Sequence, residues 1–347
     1  MSVNERPGVY TSYQVSSAVS GRSGGGVAGL AAAALSGTAG AVTLVTSYAQ
    51  AVSAYGAGSS MVRLIRLLLE NGAARVAAVP VTVDGSAGTA EAYAAAFAAL
   101  MGESAVGYMT CDSRLPAVHA ALKAAIEGGG ENSKYRIGVV EAEGAAVTLA
   151  AAAAALNCER LVLAGNTETG GVPGSVASAL TGCIAAQSDP ALPLNGAVLT
   201  GLGALTGAFS EGDVTLLIQS GVTPVEDVSG QISVVRGVTT RTTTAGAPDA
   251  TWRELTTVLI VDDVIPAVRA ALRAKFARTK NTAQTRGAIR TQVLIELESK
   301  LRAQIIDSYG AVTVTAEESD PTVCLVSFDF TVAHGLNAVN LTAYITV

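Results

Sequence analysis

Charged and aromatic side chains are scarce in this sequence of 347 residues. Charged residues make up 14% of the chain and aromatic residues 4%, whereas half of the residues are hydrophobic. Soluble globular proteins usually contain about 25% charged residues, so this chain has too little charge to cover its whole surface. We therefore predict that part of the surface is buried in an assembly.

An excess of positive charge is also missing. The formal net charge is −6, and the sequence contains no dense block of Lys and Arg. Proteins that bind nucleic acid through its phosphate backbone present basic surfaces to it. The sequence therefore predicts no nucleic-acid partner.

No stretch is typical of export or of membrane insertion. The first ten residues are polar and lack the apolar core of a signal peptide. The two uncharged runs Val27–Val45 and Leu194–Phe209 consist mostly of Ala, Gly, Ser and Thr, and the second is too short to span a bilayer. We interpret both runs as tightly packed buried segments and expect no membrane insertion.

Motifs for metal, nucleotide or cofactor binding are missing as well. Cys111, Cys158, Cys183 and Cys324 lie far apart without metal-ligand spacing, so we predict reduced cysteines in a cytoplasmic product. The cluster Gly24–Gly26 lacks the Lys-Ser/Thr ending of a phosphate-binding loop, and we interpret it as a hinge. No metal and no cofactor are predicted.

The two histidines have no partner at catalytic spacing. His119 lies within a predicted helix, and His334 lies in a turn near the end of the sequence. We predict that His119 is a packed or surface residue, and that Asp112, which follows a predicted strand, caps the next helix. Without a nucleophile motif or paired acid and base, the sequence is not that of a typical enzyme.

Predicted strands alternate with predicted helices from Ala41 to Ile184. Short apolar runs are followed by amphipathic or Ala-rich segments, and Asn71-Gly72 supplies a helix stop. Pro80, within the strand that begins at Arg75, suggests a sheet edge. The alternation predicts an α/β domain with a largely parallel sheet.

The second half of the sequence mixes strand and helix periods. The elements predicted there are a strand at Asp213–Ser220, a turn region at Gly221–Gly230, a strand from Gln231, a strand at Leu255–Val261, a helix from Asp262 or Asp263 to Arg278, and a helix at Thr282–Tyr309. Asp262 or Asp263 is expected to cap the first of these helices.

The end of the sequence alternates with a period of two, which is typical of strands with one buried face. Three such segments follow one another, with apolar positions at Val312, Val314 and Ala316, then Cys324, Val326, Phe328, Phe330 and Val332, and finally Val339, Leu341, Ala343, Ile345 and Val347. A two-stranded hairpin is marginal alone, and a terminal strand is an edge that can pair with another chain. We predict that the last segment is lent to a neighbouring copy.

Several stretches resemble the sheath proteins of contractile phage tails and of related R-type bacteriocins, particularly those of Gram-positive hosts. They follow the family order along nearly the whole chain and match it least at residues 84–190. The stretches are Arg6–Tyr10, Thr43–Tyr55, Leu69–Ala73, Pro193–Gly196, Gly221–Pro224, Val234–Thr242 and Asp249–Asp263 with the following helices and strands.

The resemblance implies a two-part α/β architecture. A polymerising α/β domain is built from both chain ends. Residues 1–30 give the N-terminal arm and the first part of this domain, and residues 195–347 give the rest of the domain. Residues 31–194 form an inserted α/β domain that faces outward. Residues 338–347 form a C-terminal linking arm, and both arms are extended.

The resemblance also implies a mechanism without a cofactor. Many copies polymerise helically around a tail tube through strand exchange, and the sheath contracts to drive the tube through a cell envelope. The implied linking residues are Val9, Tyr10, Val326, Phe328, Phe330, Val339, Leu341, Ala343, Ile345 and Val347. The helix chosen to face the tube is the most basic one, with Arg269, Arg273, Lys275 and Arg278.

The implied partners are other copies, the tail tube protein, and the baseplate and tail-terminator proteins. Assembly is expected in the bacterial host cytoplasm, in a virion tail or a released tail-like particle. Two alternatives stay open at this point. One is another self-assembling shell or surface-layer protein, and the other is a Rossmann-like enzyme that binds a small molecule, supported only by the βα alternation.

Overall fold

The computed structural model describes residues 26–83, 88–131, 135–337, 339–343 and 345. Its helices are α1 (Tyr48–Tyr55), α2 (Ser60–Glu70), α3 (Ala90–Gly102), α4 (Pro116–Glu131), α5 (Ala146–Leu156), α6 (Ser175–Ala186), α7 (Glu211–Gln219), α8 (Leu255–Phe276) and α9 (Ala283–Arg302). Its strands are β1 (Val27–Ala32), β2 (Thr43–Val45), β3 (Arg75–Pro80), β4 (Val106–Cys111), β5 (Ile137–Ala142), β6 (Leu161–Gly165), β7 (Val222–Val228), β8 (Gln231–Val234), β9 (Thr243–Thr244), β10 (Ala247–Pro248), β11 (Ile306–Tyr309), β12 (Thr313–Ala316), β13 (Cys324–Ser327) and β14 (Phe330–Val332).

One large sheet organises the chain from residue 27 to residue 234. In the described residues its strand order is β2-β3-β1-β4-β5-β6-β7-β8. The central strands β3, β1, β4, β5, β6 and β7 run parallel, and the edge strands β2 and β8 pair antiparallel with their neighbours. The predicted α/β fold with a largely parallel sheet is confirmed.

Strand β1 lies in the interior of this sheet, between β3 and β4. All of its residues are buried, because helices cover both faces of a parallel sheet and its strands then read as unbroken apolar runs. Gly29 permits close packing, since a Cβ atom there would lie 3.1 Å from Val106 and 3.2 Å from Leu100. The first uncharged run therefore begins with a buried strand. Residues 35–44 are largely exposed, and in the second run only Leu194 and Leu199 are buried, so the interpretation of both runs as buried segments is wrong for most of their length.

Helices cover the sheet on both faces. Helices α3, α4, α5 and α7 lie in a row on one face, over a core that includes Phe97, Met109 and Leu122. Helices α1, α2 and α6 lie on the other face, with Leu64 and Leu68 in their core. In the described part of the chain, no helix is both long and apolar enough to cross a membrane.

The segment from residue 211 to residue 228 differs from the prediction. The predicted strand Asp213–Ser220 is wrong because these residues lie almost wholly in helix α7, and the predicted turn region Gly221–Gly230 contains strand β7. Helix α7 begins with a capping box: the Asp213 N–H donates to the Ser210 hydroxyl at 3.2 Å, and the Ser210 N–H donates to the Asp213 carboxylate at 3.1 Å. This cap decides the helix, since a short apolar run fits either structure.

The predicted strand Leu255–Val261 is also wrong, because these residues begin helix α8. Asp262 and Asp263 therefore lie within the helix and do not cap it. The Arg160 guanidinium donates two hydrogen bonds to Asp262, at 2.6 and 2.7 Å, and Lys300 of α9 donates to Asp263. The β-branched residues of this stretch favour a strand locally, and tertiary packing overrides that preference.

Helix α9 ends at Arg302, earlier than the predicted end at Tyr309. Gln304 adopts the left-handed conformation with φ of 58°, which ends the helix, and the chain then enters strand β11. The apolar spacing continues through Ile305 and Ile306, so the periodicity contains no stop signal.

Two further sequence expectations concern edges and boundaries. Strand β3 pairs on both sides, so its predicted edge position is wrong; Val79 and Pro80 lie beyond the pairing with β2, which stops at Ala78. The predicted boundary at 30/31 falls within β1, and the predicted polymerising domain from residue 195 includes β7 and β8 of the large sheet. The domain division remains a prediction about behaviour in an assembly.

Candidate assembly surface

The carboxyl edge of the parallel sheet, where an α/β protein binds ligands, is occupied by the chain's own side chains. Between β1 and β4, Asp112 Oδ2 accepts the Ala33 N–H at 2.8 Å, and the Tyr93 hydroxyl donates to Asp112 Oδ1. The prediction that Asp112 caps a helix is therefore wrong. Burial raises the pKa of Asp112 above its usual value, although both hydrogen bonds oppose the rise.

The start of helix α6 is filled in the same way. Glu141 at the end of β5 accepts backbone N–H groups of Gly174, Val176 and Ala177 at 2.8, 2.9 and 3.2 Å, and it pairs with Arg114 at 2.9 Å. A helix N-terminus is a natural anion site, and here the anion is a fully buried carboxylate of the chain. This position is closed to an external phosphate.

Cys111 and His119 share one hydrogen-bond partner, the Ser113 carbonyl oxygen. His119 is buried with Nε2 2.9 Å from the Ser113 carbonyl oxygen, and burial lowers its pKa; it is a packed residue, as predicted. His334 is exposed. The four cysteines are free, and burial raises the pKa of Cys111 to about 12. The described residues contain no group of three or more His, Cys, Asp or Glu that could hold a metal ion.

The four C-terminal strands form an antiparallel ribbon that is two strands wide. Strands β11 and β12 follow one another along one side of the ribbon, and β13 and β14 along the other. Strand β11 pairs with β14, and β12 pairs with β13, while the Gly310 N–H donates to the Asp329 carbonyl at 3.0 Å between the two ladders. In the part of the chain that the structure describes, no further strand pairs with this ribbon. Both of its edges therefore present backbone groups to an additional strand.

One face of the ribbon packs on helices α8 and α9. Val326, Phe328 and Phe330 lie partly buried against the core formed with Val264 and Leu297. These predicted linking residues thus point toward their own subunit, and any link at this place would use the ribbon's backbone edges. Their role in linking remains a prediction.

The predicted linking arm extends into solvent. Val339, Leu341 and Ile345 are 77%, 90% and 86% exposed, and Ala343 is exposed too. Four exposed apolar side chains at successive alternate positions are unusual on a free surface. Among the predicted linking residues, Val9, Tyr10 and Val347 lie outside the described residues.

The arm begins at a fixed root. Asn195 donates from Nδ2 to the Asn337 side chain at 2.8 Å and to the Leu336 carbonyl at 3.5 Å. Gly335 lies so close to Pro193 that a Cβ atom there would be 2.9 Å from the proline ring. The sequence analysis singled out Pro193–Gly196 without giving it a role, and the structure places it against the arm.

An apolar groove runs beside the β11 edge of the ribbon. It is lined by Leu294, Ile295 and Tyr309, with Glu298 and Arg302 at its rim, and Ile295 is 54% exposed. The sequence analysis missed this groove, because Ile295 fits the helix period and only the packed structure shows it outside the core.

The basic residues predicted to face a tube lie along the second half of α8 and just beyond its end, where Arg278 follows Phe276. Arg269, Arg273, Lys275 and Arg278 are all exposed, and residues 264–295 contain no Asp or Glu. Lys275 donates to Gln292 of α9, and the Arg269 guanidinium lies 5.9 Å from the centre of the Tyr135 ring. The described residues contain no ion pair for Arg273 or Arg278, so these two are the freer cations.

Comparison with protein families finds two matches along the chain. Residues 87–240 match the phage tail sheath protein central domain, and residues 247–346 match the phage tail sheath C-terminal domain. No curated protein matches the chain.

Solved structures share the whole fold at low sequence identity. A chain of the anti-feeding prophage baseplate has a TM-score of 0.75 at 15% identity, covering 99% of this chain and 100% of that chain. The contracted helical sheath of the anti-feeding prophage gives 0.73 at 15% identity, covering 99% of each chain. The sheath tail protein of Desulfitobacterium hafniense gives 0.70 at 12% identity, covering 94% of this chain and 100% of that protein.

The family matches decide what the fold is used for. The two sheath models together cover most of the chain and occur in the order central domain, then C-terminal domain, and the resemblance inferred from the sequence is thereby confirmed. The chain belongs to the phage tail sheath protein family and is a structural subunit of a contractile sheath.

Proposed function

We propose that the chain polymerises by lending residues 338–347 to the ribbon of a neighbouring copy, as an added strand. The observation that carries this proposal is the arm itself, whose alternate apolar residues lie in solvent beside a ribbon with two open edges. Strand addition satisfies the ribbon's free backbone groups and buries the arm's apolar side chains. The groove lined by Leu294, Ile295 and Tyr309 provides a surface for side chains next to the β11 edge.

The free energy of each link is small by this account. Burial of a Leu or Ile side chain contributes about 1.5–3 kcal/mol, and ordering each arm residue costs about 1–2 kcal/mol. These contributions nearly cancel for one arm. A lattice with one such link for every copy is then stable through the number of links, and single links can adjust while the lattice stays connected.

The second open edge of the ribbon would receive the N-terminal arm, through Val9 and Tyr10. Each copy then gives strands to different neighbours and receives strands from others. Such head-to-tail contacts generate a helical tube when the rotation does not close into a ring. The sheath would surround a tail tube and contract to drive it through a cell envelope, in a phage tail or an R-type bacteriocin.

The tube side of the sheath subunit is, in this proposal, the outer face of α8. Arg269, Arg273, Lys275 and Arg278 would meet acidic groups on the tail tube protein. Exposed charge pairs are individually weak and screened by salt, which suits a contact that must release on contraction. Baseplate and tail-terminator proteins would bind the ends of the sheath, and assembly would take place in the host cytoplasm.

We also propose that the subunit performs no catalysis and needs no cofactor. The positions at which an α/β sheet would hold a ligand are filled by Asp112 and Glu141. His119 is buried against the Ser113 carbonyl oxygen, to which the Cys111 thiol also donates, and burial raises the pKa of that thiol to about 12, which disfavours a thiolate nucleophile. These contacts support a role in which the large sheet is a rigid body.

Deletion of residues 338–347 tests the proposal. The truncated chain should fold with nearly the same melting temperature as the full-length chain when both are monomeric, and it should form no sheaths. Negative-stain images of the full-length chain should show hollow striated cylinders. Flat sheets or closed shells would support the alternative assembly, and a large drop in melting temperature on truncation would mean that the arm belongs to its own core.

A further inference from the structure

Helix α8 joins two parts of the molecule. We call the large sheet with α1–α7 the sheet unit. Its apolar core includes Leu255, Val258 and Leu259 from the start of α8. The C-terminal unit, α8 and α9 with the ribbon, has its own core around Val264 and Leu297. Polar contacts beside this apolar core also bear on the angle between the two units.

Two residues at the amino edge of the sheet reach α8. Tyr135 precedes β5 and Arg160 precedes β6, and these neighbouring parallel strands bring the two residues side by side. The Arg160 guanidinium lies 4.6 Å from the centre of the Tyr135 ring and makes a two-bond pair with Asp262 of α8. Arg269 lies about two helical turns after Asp262 on α8, and its guanidinium is 5.9 Å from the centre of the same Tyr135 ring.

The Tyr135 ring is thus shared by two cations on different units. Arg160 belongs to the sheet unit and Arg269 to the C-terminal unit, and both lie within the distance at which the ring quadrupole attracts a cation. The Arg160–Asp262 pair is mostly buried, with side-chain exposures of 13% and 19%. Planar, two-bond contacts of this kind fix orientation more strictly than a point contact.

The space beside these contacts is not filled by apolar packing. An open cleft of about 280 Å³ lies between the units, lined by Tyr108, Tyr135, Leu259, Asp262 and Asp263 among others. Apolar side chains do not close this cleft, so the polar contacts at its border add to the apolar core in holding the angle.

We propose that Tyr135 and Arg160 form a joint that fixes the C-terminal unit on the sheet unit. A subunit held in this way turns as one body, so a rotation driven through the ribbon and arms carries the outward sheet unit with it. The joint is a property of the single chain, and only its use in contraction rests on the proposed sheath function.

Distances between spin labels in the unassembled full-length chain test the joint. On a background with Cys183→Ser and Cys324→Ser, labels at Ala124→Cys on α4 and Ala303→Cys after α9 report the angle between units. Labels at Ala124→Cys and Ala151→Cys report the sheet unit alone. All three label positions are exposed.

The proposal expects one narrow distance peak between the units in the parent chain, and loss of that peak in Tyr135→Ala. Tyr135→Phe keeps the ring and should keep the narrow peak. The Ala124–Ala151 distance should not change in either variant. Three results would each overturn the joint. The inter-unit peak could be unchanged in Tyr135→Ala, the peak could already be broad in the parent chain, or both label pairs could broaden equally. Sheath formation is not needed for this measurement, so failure of the joint and failure of the arm proposal are separate results.

Discussion

The sheet unit and the C-terminal unit differ in whether their strand edges and charged groups are covered within one copy. In the sheet unit, the β8 edge is covered by the chain itself, with the Gly196 and Leu199 N–H groups donating to Val234 and Ile232 at 2.8 Å. The other edge strand, β2, is only three residues long, which limits pairing. In the described residues no further strand pairs with either edge of the C-terminal unit's ribbon, where only single side chains such as Arg290 and Asn281 donate to backbone carbonyls.

The same contrast holds for charged groups. In the sheet unit, Asp112 and Glu141 are buried and bonded to backbone N–H groups. On α8, a row of exposed cations lies without nearby acidic residues in sequence. One unit is complete within a single copy, and the other has the properties of a surface that is completed by neighbours.

The largest expected effect on folding concerns Glu141. Glu141→Ala leaves three buried N–H groups at the start of α6 without an acceptor and removes the buried one of the two carboxylates that pair with Arg114. The free energy of unfolding should fall by about 3–5 kcal/mol, measured by denaturant unfolding of the unassembled chain. Glu143→Ala is the matched control, because this more exposed residue pairs with the same Arg114 and should cost about 0–1 kcal/mol. Equal losses of unfolding free energy in the two variants would contradict the conclusion that Glu141 fills the N-terminus of α6.

A smaller effect is expected from pH at His119. Burial lowers the pKa of His119 in the folded chain, so below the usual value of 6.5 the unfolded chain binds more protons. The free energy of unfolding should therefore decrease as the pH falls below that value, by at most about 1.4 kcal/mol per pH unit. His119→Gln should flatten this part of the curve, and His334→Gln, at an exposed position, should not. A profile that His119→Gln leaves unaltered would remove His119 as its cause.

A substitution in the arm should have almost no effect on folding and should abolish assembly. Leu341→Asp is expected to change the free energy of unfolding by no more than about 0.5 kcal/mol, because the side chain is exposed in the single copy. Sedimentation should show loss of sheaths, since a charge cannot be buried cheaply on a neighbour. Asn340→Asp, on the opposite face of the arm, should still assemble; failure of both variants alike would argue against a specific buried face.

The smallest effect is expected at the basic face of α8. Arg273→Glu with Arg278→Glu should leave the unfolding curve unchanged and weaken loading onto tail tubes, more clearly at low salt, by about 0.2–1 kcal/mol for each pair lost. Assembly without tubes should remain normal. Arg75→Glu at the start of β3, which is also exposed, serves as the control. Unimpaired loading of the double variant at low salt would exclude this face.

The sequence predicts the sheet unit better than the joint between the units. The alternation of strands and helices from Ala41 to Ile184 follows from local apolar periods, and the structure agrees with it. The stretch Leu255–Val261 reads as a strand because its β-branched residues resemble one, and it becomes helix only through packing against α9 and the sheet. Its misreading hid the pairing of Asp262 with Arg160, which are distant in sequence.

The site predictions divide along the same line. The period of two from Val312 onward predicts the ribbon, and the exposed arm residues are in keeping with the interpretation that they are lent. The groove at Ile295 and the stacking of Tyr135 depend on which side chains meet in three dimensions, and no spacing in the sequence encodes them. The resemblance to sheath proteins supplied the assembly hypothesis that periodicity alone does not give.

The anchoring of the arm at Asn195 sets a maximum reach. From Asn337 to Ile345 an extended chain spans at most about 26–29 Å, at 3.3–3.6 Å per residue. If the arm links copies as proposed, a receiving ribbon must therefore begin within that distance of Asn195. Two linked copies could then turn and slide past one another within this radius, with the hydrogen bonds of Asn195 at the base of the arm.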